Sequence, residues 1–203
     1  MIPPYWPDAK LHLSKRDRIL RDLIKQYPDA ELRTRGDAFQ TLARAIVGQQ
    51  ISVKAAQSIW NRFAQASGKV TPPNVLVLPD AAMRSCGLSA SKVAYLKDLA
   101  SHFDSGAVKP RRWSRMENEA IVEDLIRVKG IGRWSVDMFL IFHLMRPDVL
   151  PVGDLGLQRA MERLYNDGAA LTKNDMREIG SAWQPWSSVA TWYLWRSLDP
   201  VKF

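Results

Sequence analysis

The sequence predicts an all-α protein, and three observations carry that expectation. Apolar residues recur at helical spacing along nearly all of the 203-residue chain, the signature of one buried helix face. A Ser or Asp stands just ahead of most of these runs, where an N-cap belongs. The single run that reads as a strand, Val75-Leu76-Val77-Leu78, is short and bounded by prolines, so a loop packed on the core is expected there. Helices of ordinary length would number about eight to ten.

Taken in order, Ser14 with Asp17 reads as a capping box ahead of Ile19, Leu20, Leu23 and Ile24. Asp37 is placed to cap a helix with Phe39, Leu42, Ala43, Ile46 and Val47 on one face. After Gly48-Gln49-Gln50-Ile51, Ser52 opens a helix that turns Ala55, Ala56, Ile59 and Phe63 inward. Ser89 opens another with Val93, Leu96, Leu99 and Phe103. Ser114 and Glu117 match S-x-x-E before Ile121, Val122 and Leu125. Val136, Phe139, Leu140 and Phe142 then line a helix apolar enough for burial on several sides. Later helices are expected near 156–166, 172–183 and 186–197, with loops at the proline-rich stretches 70–79 and 147–151. No repeat, low-complexity tract or flexible linker interrupts the pattern.

Composition narrows the function classes. A hydrophobic content of 46% marks a globular chain, and a formal charge of +8 favours a polyanionic partner. The one cysteine, Cys86, rules out an intrachain disulfide and any four-cysteine zinc or iron–sulfur site. No apolar run reaches membrane-spanning length. The opening MIPPYWPDAK lacks the basic start and apolar core of a signal peptide. A cytoplasmic protein, with no membrane partner, is the expectation. His12, His102 and His143 lie far apart in the sequence, pair with no Ser or Cys in a nucleophile pattern, and read as structural.

The densest information lies between Leu125 and Asp154. Val128-Lys129-Gly130-Ile131-Gly132 sits between two helical segments. Its glycines permit a tight turn, and the helix that follows begins with unpaired N–H groups suited to a phosphate. The same glycines would also serve an ordinary helix–turn–helix corner. Lys129 and Arg133 flank the turn as candidate phosphate contacts, with solvated surface charge as the plain alternative. Asp154, in Pro151-Val152-Gly153-Asp154-Leu155, occupies an N-cap position ahead of Leu157, Ala160, Met161 and Leu164. Capping explains it, and a helix N-terminus also favours a catalytic negative charge. Trp183, Trp186, Trp192 and Trp195 crowd one segment. Core packing accounts for some of them, and a cavity for a flat ligand could take others. Gln49-Gln50-Ile51 is a polar junction between helices, either a solvated turn or a loop that enters a nucleic acid.

Five separated motifs fall in one order: LARAIVGQQIS at 42–52, GLSASKVAYLKDLA at 87–100, KGIGRWSVDMFLIF at 129–142, DVLPVGDLG at 148–156 and WQPWSSVATWYLW at 183–195. Together, over roughly residues 37–197, the chain resembles the helix–hairpin–helix superfamily of DNA glycosylases. Within it, the chain looks like the compact, all-helical form of the 3-methyladenine DNA glycosylase II family.

The resemblance implies two helical lobes making one catalytic unit. A terminal lobe would comprise 1–36 and 143–203, and a middle lobe 37–142 would include the hairpin 121–142, with the hairpin at the interlobe cleft. It implies base flipping from alkylated double-stranded DNA and hydrolysis of the N-glycosidic bond of 3-methyladenine or 7-methylguanine, in base-excision repair. By similarity Asp154 is the catalytic carboxylate, Trp134, Met138 and Trp195 line the base pocket, and Gln50 with Ile51 forms the DNA wedge. Lys129, Gly130, Gly132 and Arg133 meet phosphates, and the carbonyls of Ile126, Val128 and Ile131 hold a structural Na+ or K+. No cofactor for catalysis and no iron–sulfur cluster is implied.

The lyase branch of the superfamily carries a nucleophilic lysine where this chain has Trp134, and an indole forms no Schiff base. A monofunctional enzyme without AP-lyase activity is therefore expected. Met138 stands where an aromatic is found in the best-known member, and Met packs adaptably with less ring surface. The resemblance also implies a monomer, nucleoid-associated in the cytoplasm of a bacterium or nuclear in a eukaryote. Three other readings remain open at this point: a glycosylase for a deaminated, oxidised or mismatched base, a non-catalytic helix–hairpin–helix DNA-binding module, and a helical interaction protein with no salt-sensitive duplex binding.

Overall fold

The structure, a computed structural model, describes residues 2–29, 31–34 and 37–198. Among these residues every regular element is helical. The order begins α1 (Trp6–Arg16), α2 (Arg18–Gln26), α3 (Ala38–Gly48), α4 (Val53–Ser67), α5 (Pro72–Val77), α6 (Asp80–Ser85) and α7 (Ala90–Asp104). It continues with α8 (Pro110–Trp113), α9 (Asn118–Leu125), α10 (Arg133–Phe142), α11 (Leu155–Tyr165), α12 (Lys173–Gly180), a 3-10 turn (Ser181–Trp183) and α13 (Ser187–Leu198). Among the described residues no helix is long and apolar enough to cross a membrane.

Two compact units divide the chain, one made of Met1–Thr34 and Leu140–Phe203, the other of Arg35–Phe139. The sequence predicts borders after residues 36 and 142. The division instead falls after Thr34 and after Phe139, the second within α10, so the last turn of that helix belongs to the first unit.

In the first unit, α1 and α2 pack on each other and on α13, which also packs on α11. Helix α1 has no counterpart in the sequence pattern. Proline in its first turn is tolerated where the N–H would be unpaired anyway, and Trp6, Ala9 and Leu13 bury its inner face. Ser14 therefore lies inside α1 rather than capping α2. The cap is Asp17, whose Oδ1 accepts the Leu20 N–H at 3.0 Å. Its other oxygen accepts the Tyr165 hydroxyl at 2.7 Å and the Trp183 indole N–H at 2.9 Å, joining α2, α11 and the 3-10 turn. Burial first, then the Asp17 charge, holds the Tyr165 phenol far above its usual range. Helix α13 is buried from Ser187 through Leu194. That explains a run too apolar to show a clear stripe.

In the second unit, α7 is the spine, packed by α3, α5 and α6. The expected caps appear: Asp37 accepts from Gln40 N, Ser52 from Ala55 N and Ser89 from Lys92 N. Two local expectations do not hold. Val75–Leu78 is neither strand nor loop, because Pro at the first helical positions presets φ and starts α5, burying Val75 fully. Ser114 closes α8, and Glu117 is the N-cap of α9 without a side-chain bond. The core runs through an edge-to-face series of rings, Phe39–Phe103–Trp113–Phe139, with centroids 5.3, 6.3 and 5.1 Å apart.

Candidate active site and nucleic-acid interface

Asp154 follows a tight turn closed by its own N–H to Pro151 O at 2.8 Å. It is the N-cap of α11, and its Oδ1 accepts the Leu157 N–H at 2.7 Å. The same oxygen also accepts the indole N–H of Trp195 at 2.8 Å. Trp195 in turn stacks on Phe142, with ring centroids 5.7 Å apart and planes inclined by 11°. The carboxylate is thus fixed by a backbone and a side-chain donor, and the donor ring is itself clamped. Gly156 makes the contact possible. A Cβ at that position would stand 3.0 Å from Asp154 Oδ1 and 3.3 Å from the Trp195 indole nitrogen. Gly156, Phe142 and the donor role of Trp195 were not read from the sequence, because each is a tertiary contact with no local pattern.

The tryptophan-rich segment therefore divides. Trp183 is buried and anchors on Asp17, Trp192 packs edge-on to Phe142, and Trp186 stacks on Tyr5 at 5.4 Å. Trp195 donates to the carboxylate.

In the other unit, the turn between α9 and α10 needs only one of its two glycines. Gly130 has φ +79°, and a Cβ there would lie 2.2 Å from the Tyr95 ring. Gly132 has open space around its Cβ position and is exposed, which leaves the backbone open to close approach by a ligand. The Lys129 backbone N–H is taken by Asp98 Oδ2 at 2.8 Å, while its side chain is largely exposed. Arg133 differs from expectation. Its Nη1 and Nη2 donate to Glu119 at 2.8 Å each and its Nε to Asp137 at 2.9 Å. The guanidinium ties α9 to α10, and a phosphate would have to compete with two carboxylates for it.

Ile126, Val128 and Ile131 contribute their carbonyls to this same turn. Val128 O accepts the Ile131 N–H at 3.1 Å, and a carbonyl has a second lone pair for another partner. Neutral oxygens suit a hard monovalent ion. Among the described residues no group of three His, Cys, Asp or Glu side chains offers a metal site.

Gln50 and Ile51 lie at the exposed junction of α3 and α4, and Gln50 adopts φ +59°. A non-glycine residue in this region is uncommon and is held there by its surroundings. Trp134, the first-turn residue of α10, is 41% exposed, a large ring to leave in solvent. Met138, one turn later, is half-buried.

These features are a helix–hairpin–helix element with an open backbone and a carboxylate clamped at a helix N-terminus. The sequence matches the profile described as HhH-GPD superfamily base excision DNA repair protein over residues 43–185. The chain belongs to the HhH-GPD superfamily. It is 34% identical over 196 residues to DNA-3-methyladenine glycosylase 1 of Schizosaccharomyces pombe, covering 93% of this chain and 86% of that protein. It is 37% identical over 152 residues to the DNA-3-methyladenine glycosylase of Saccharomyces cerevisiae, covering 70% and 51%. Among solved structures it is similar to the S. pombe 3-methyladenine DNA glycosylase in complex with abasic DNA. There the TM-score is 0.85 at 33% identity, with 97% of this chain and all of the other covered. A DNA-3-methyladenine glycosidase from Bacillus halodurans gives a TM-score of 0.83 at 35% identity, over 95% and 89%. As an HhH-GPD protein, this chain carries its hairpin on α9–α10 and its clamped carboxylate at the start of α11.

Proposed function

We propose that this HhH-GPD protein is a monofunctional DNA glycosylase that hydrolyses the N-glycosidic bond of alkylated purines, 3-methyladenine and 7-methylguanine among them, in double-stranded DNA. The observation that carries the reading is the double clamp on Asp154, by Leu157 N–H and the Trp195 indole. The names of the similar yeast proteins support the substrate class.

The target bond lies inside the duplex, so the nucleotide is extruded at a cost of about a few kcal/mol. Gln50, entering the vacated stack with Ile51 beside it, offsets part of that cost. Lys129 and the turn at Gly130 and Gly132, with its exposed backbone at Gly132, take phosphates, which fixes register without reading sequence. That suits an enzyme that must search every sequence. A purine methylated at N3 or N7 is cationic, and an indole face such as that of Trp134 attracts it, with Met138 alongside as an adaptable surface.

The same charge makes the base a good leaving group. It departs with the bonding electrons, a water adds to C1′, and the proton of that water is lost. As the bond breaks, the sugar gains cationic character. A carboxylate about 4 Å away, at an effective dielectric near 20, lowers the energy of a full positive charge by roughly 4 kcal/mol. That amounts to about a thousandfold in rate. Asp154 also orients the attacking water. A carboxylate fixed before the reaction starts costs no reorganisation during it. If Na+ or K+ binds the carbonyls of Ile126, Val128 and Ile131, it adds positive charge to the phosphate-binding turn.

Trp134 offers no amine for a Schiff base. The purified monomer, incubated with methylated duplex and borohydride, is expected to release free methylated base with no strand cleavage and no trapped covalent adduct. A borohydride-trapped imine would overturn the monofunctional assignment. Release of a deaminated or mismatched base instead would reassign the lesion.

A further inference from the structure

One face of α7 holds both DNA-directed loops of the second unit. Lys92 Nζ donates to Val47 O at 2.7 Å and to Gln49 O at 2.9 Å, capping the end of α3. Burial lowers the pKa of that ammonium, and two of its three donors are spent on the protein backbone. One turn along α7, the Tyr95 ring lies where a Gly130 side chain would be. One turn further, Asp98 accepts the Lys129 N–H. The spacing of these three residues puts them on a single helix face. A direct link then closes the loop: Gln49 Nε2 donates to Gly130 O at 2.7 Å. Gln49 immediately precedes Gln50, the residue with φ +59°. Its own N–H makes only a long bond to Ile46 O at 3.4 Å, so the backbone at this bend is fixed mainly by Lys92 and by the Gly130 carbonyl.

We propose that Gln49 is a positioning residue that sets the Gln50 wedge in register with the hairpin, so that phosphate contact at the turn and entry of the wedge occur as one event. The proposal rests on the reading of Gln50 as the wedge. Gln49 is half-buried and its amide is committed to Gly130, so it acts through its neighbour and not on DNA. The side chain converts two separate loops into one rigid edge, and preorganised edges waste less binding energy on ordering.

The test uses a duplex with 2-aminopurine beside a stable tetrahydrofuran abasic analogue, whose fluorescence rises when the wedge unstacks the neighbour. Binding to undamaged duplex is measured in parallel. Gln49→Met keeps the length and removes the donor. It is expected to bind undamaged duplex within about twofold of wild type while losing roughly five- to tenfold of the fluorescence response, about 1 to 1.4 kcal/mol of coupling. In a Gln50→Ala background the same substitution should add nothing, since contacting residues are non-additive. Gln49→Glu, of equal shape and without the N–H donor, serves if the Met variant melts lower. A wild-type response in both Gln49 variants, or effects that add independently to Gln50→Ala, would overturn the proposal. A wild type that unstacks the probe but releases no methylated base refutes the reaction assigned above and leaves the brace standing. A wild type that gives no rise at all refutes the wedge and the brace together.

Discussion

At the scale of single residues, Asp154 is a helix cap to which the proposed function adds a chemical duty. As N-cap it closes the first turn of α11, and the Trp195 indole pins the same oxygen. Trp195→Phe separates the two roles a ring can have there. Phenylalanine still stacks on Phe142 but cannot donate to the carboxylate. A hydrogen bond to a charged group is worth about 1.5–3 kcal/mol, so kcat should fall roughly 10- to 100-fold by single-turnover kinetics, measured well below a melting temperature that itself drops by several degrees. Retention of full kcat would show that the ring serves by stacking alone. Asp154 was legible in sequence as a carboxylate in a cap position before an amphipathic run. Its partner was not, because Trp195 lies 41 residues away and no periodicity encodes which tryptophan of a cluster turns toward it. Gly156 was equally silent: its lack of a Cβ matters only once the indole is in place.

At the scale of elements, the hairpin is held by charge as well as by its turn. Arg133 bridges Glu119 on α9 to Asp137 on its own helix, and Asp137 is 4% exposed. Burial raises the Asp137 pKa, with Arg133 only partly opposing it. A carboxyl raised in the folded state binds its proton more tightly there than when unfolded. Its contribution to stability is fully present below the unfolded value and is lost as pH rises through the folded one. Relative to Asp137→Asn, the wild type should therefore gain stability as pH falls from neutrality into the carboxylate range, read from urea midpoints of both proteins at matched pH. An unchanging difference would show that Asp137 is not raised.

Local rules found the caps at Asp37, Ser52 and Ser89 because those bonds span only three residues. They failed at Ser14, which α1 absorbed, and at Ser114, where α8 ended first. A short apolar run between prolines concealed α5, since proline starts a helix as readily as it ends one.

At the scale of the whole molecule, the two-unit division leaves the turn between α9 and α10, the Gln50–Ile51 junction and their α7 support in one unit. The class of fold was legible from periodicity, since the 3.6-residue pattern runs through almost every element. The helix count and the borders were not, since both depend on which face each segment finds to bury. The net charge of +8 fits duplex binding that weakens as salt rises. The central claim is that Asp154 performs chemistry beyond its capping. Its most direct test is single-turnover release of base from methylated duplex by wild type beside Asp154→Asn, with duplex affinity measured for both. Asparagine keeps the cap and removes the charge. The account predicts release of 3-methyladenine or 7-methylguanine by the wild type, a loss of roughly a thousandfold in the variant, and similar DNA affinity for the two. Base release by Asp154→Asn at the wild-type rate would contradict it.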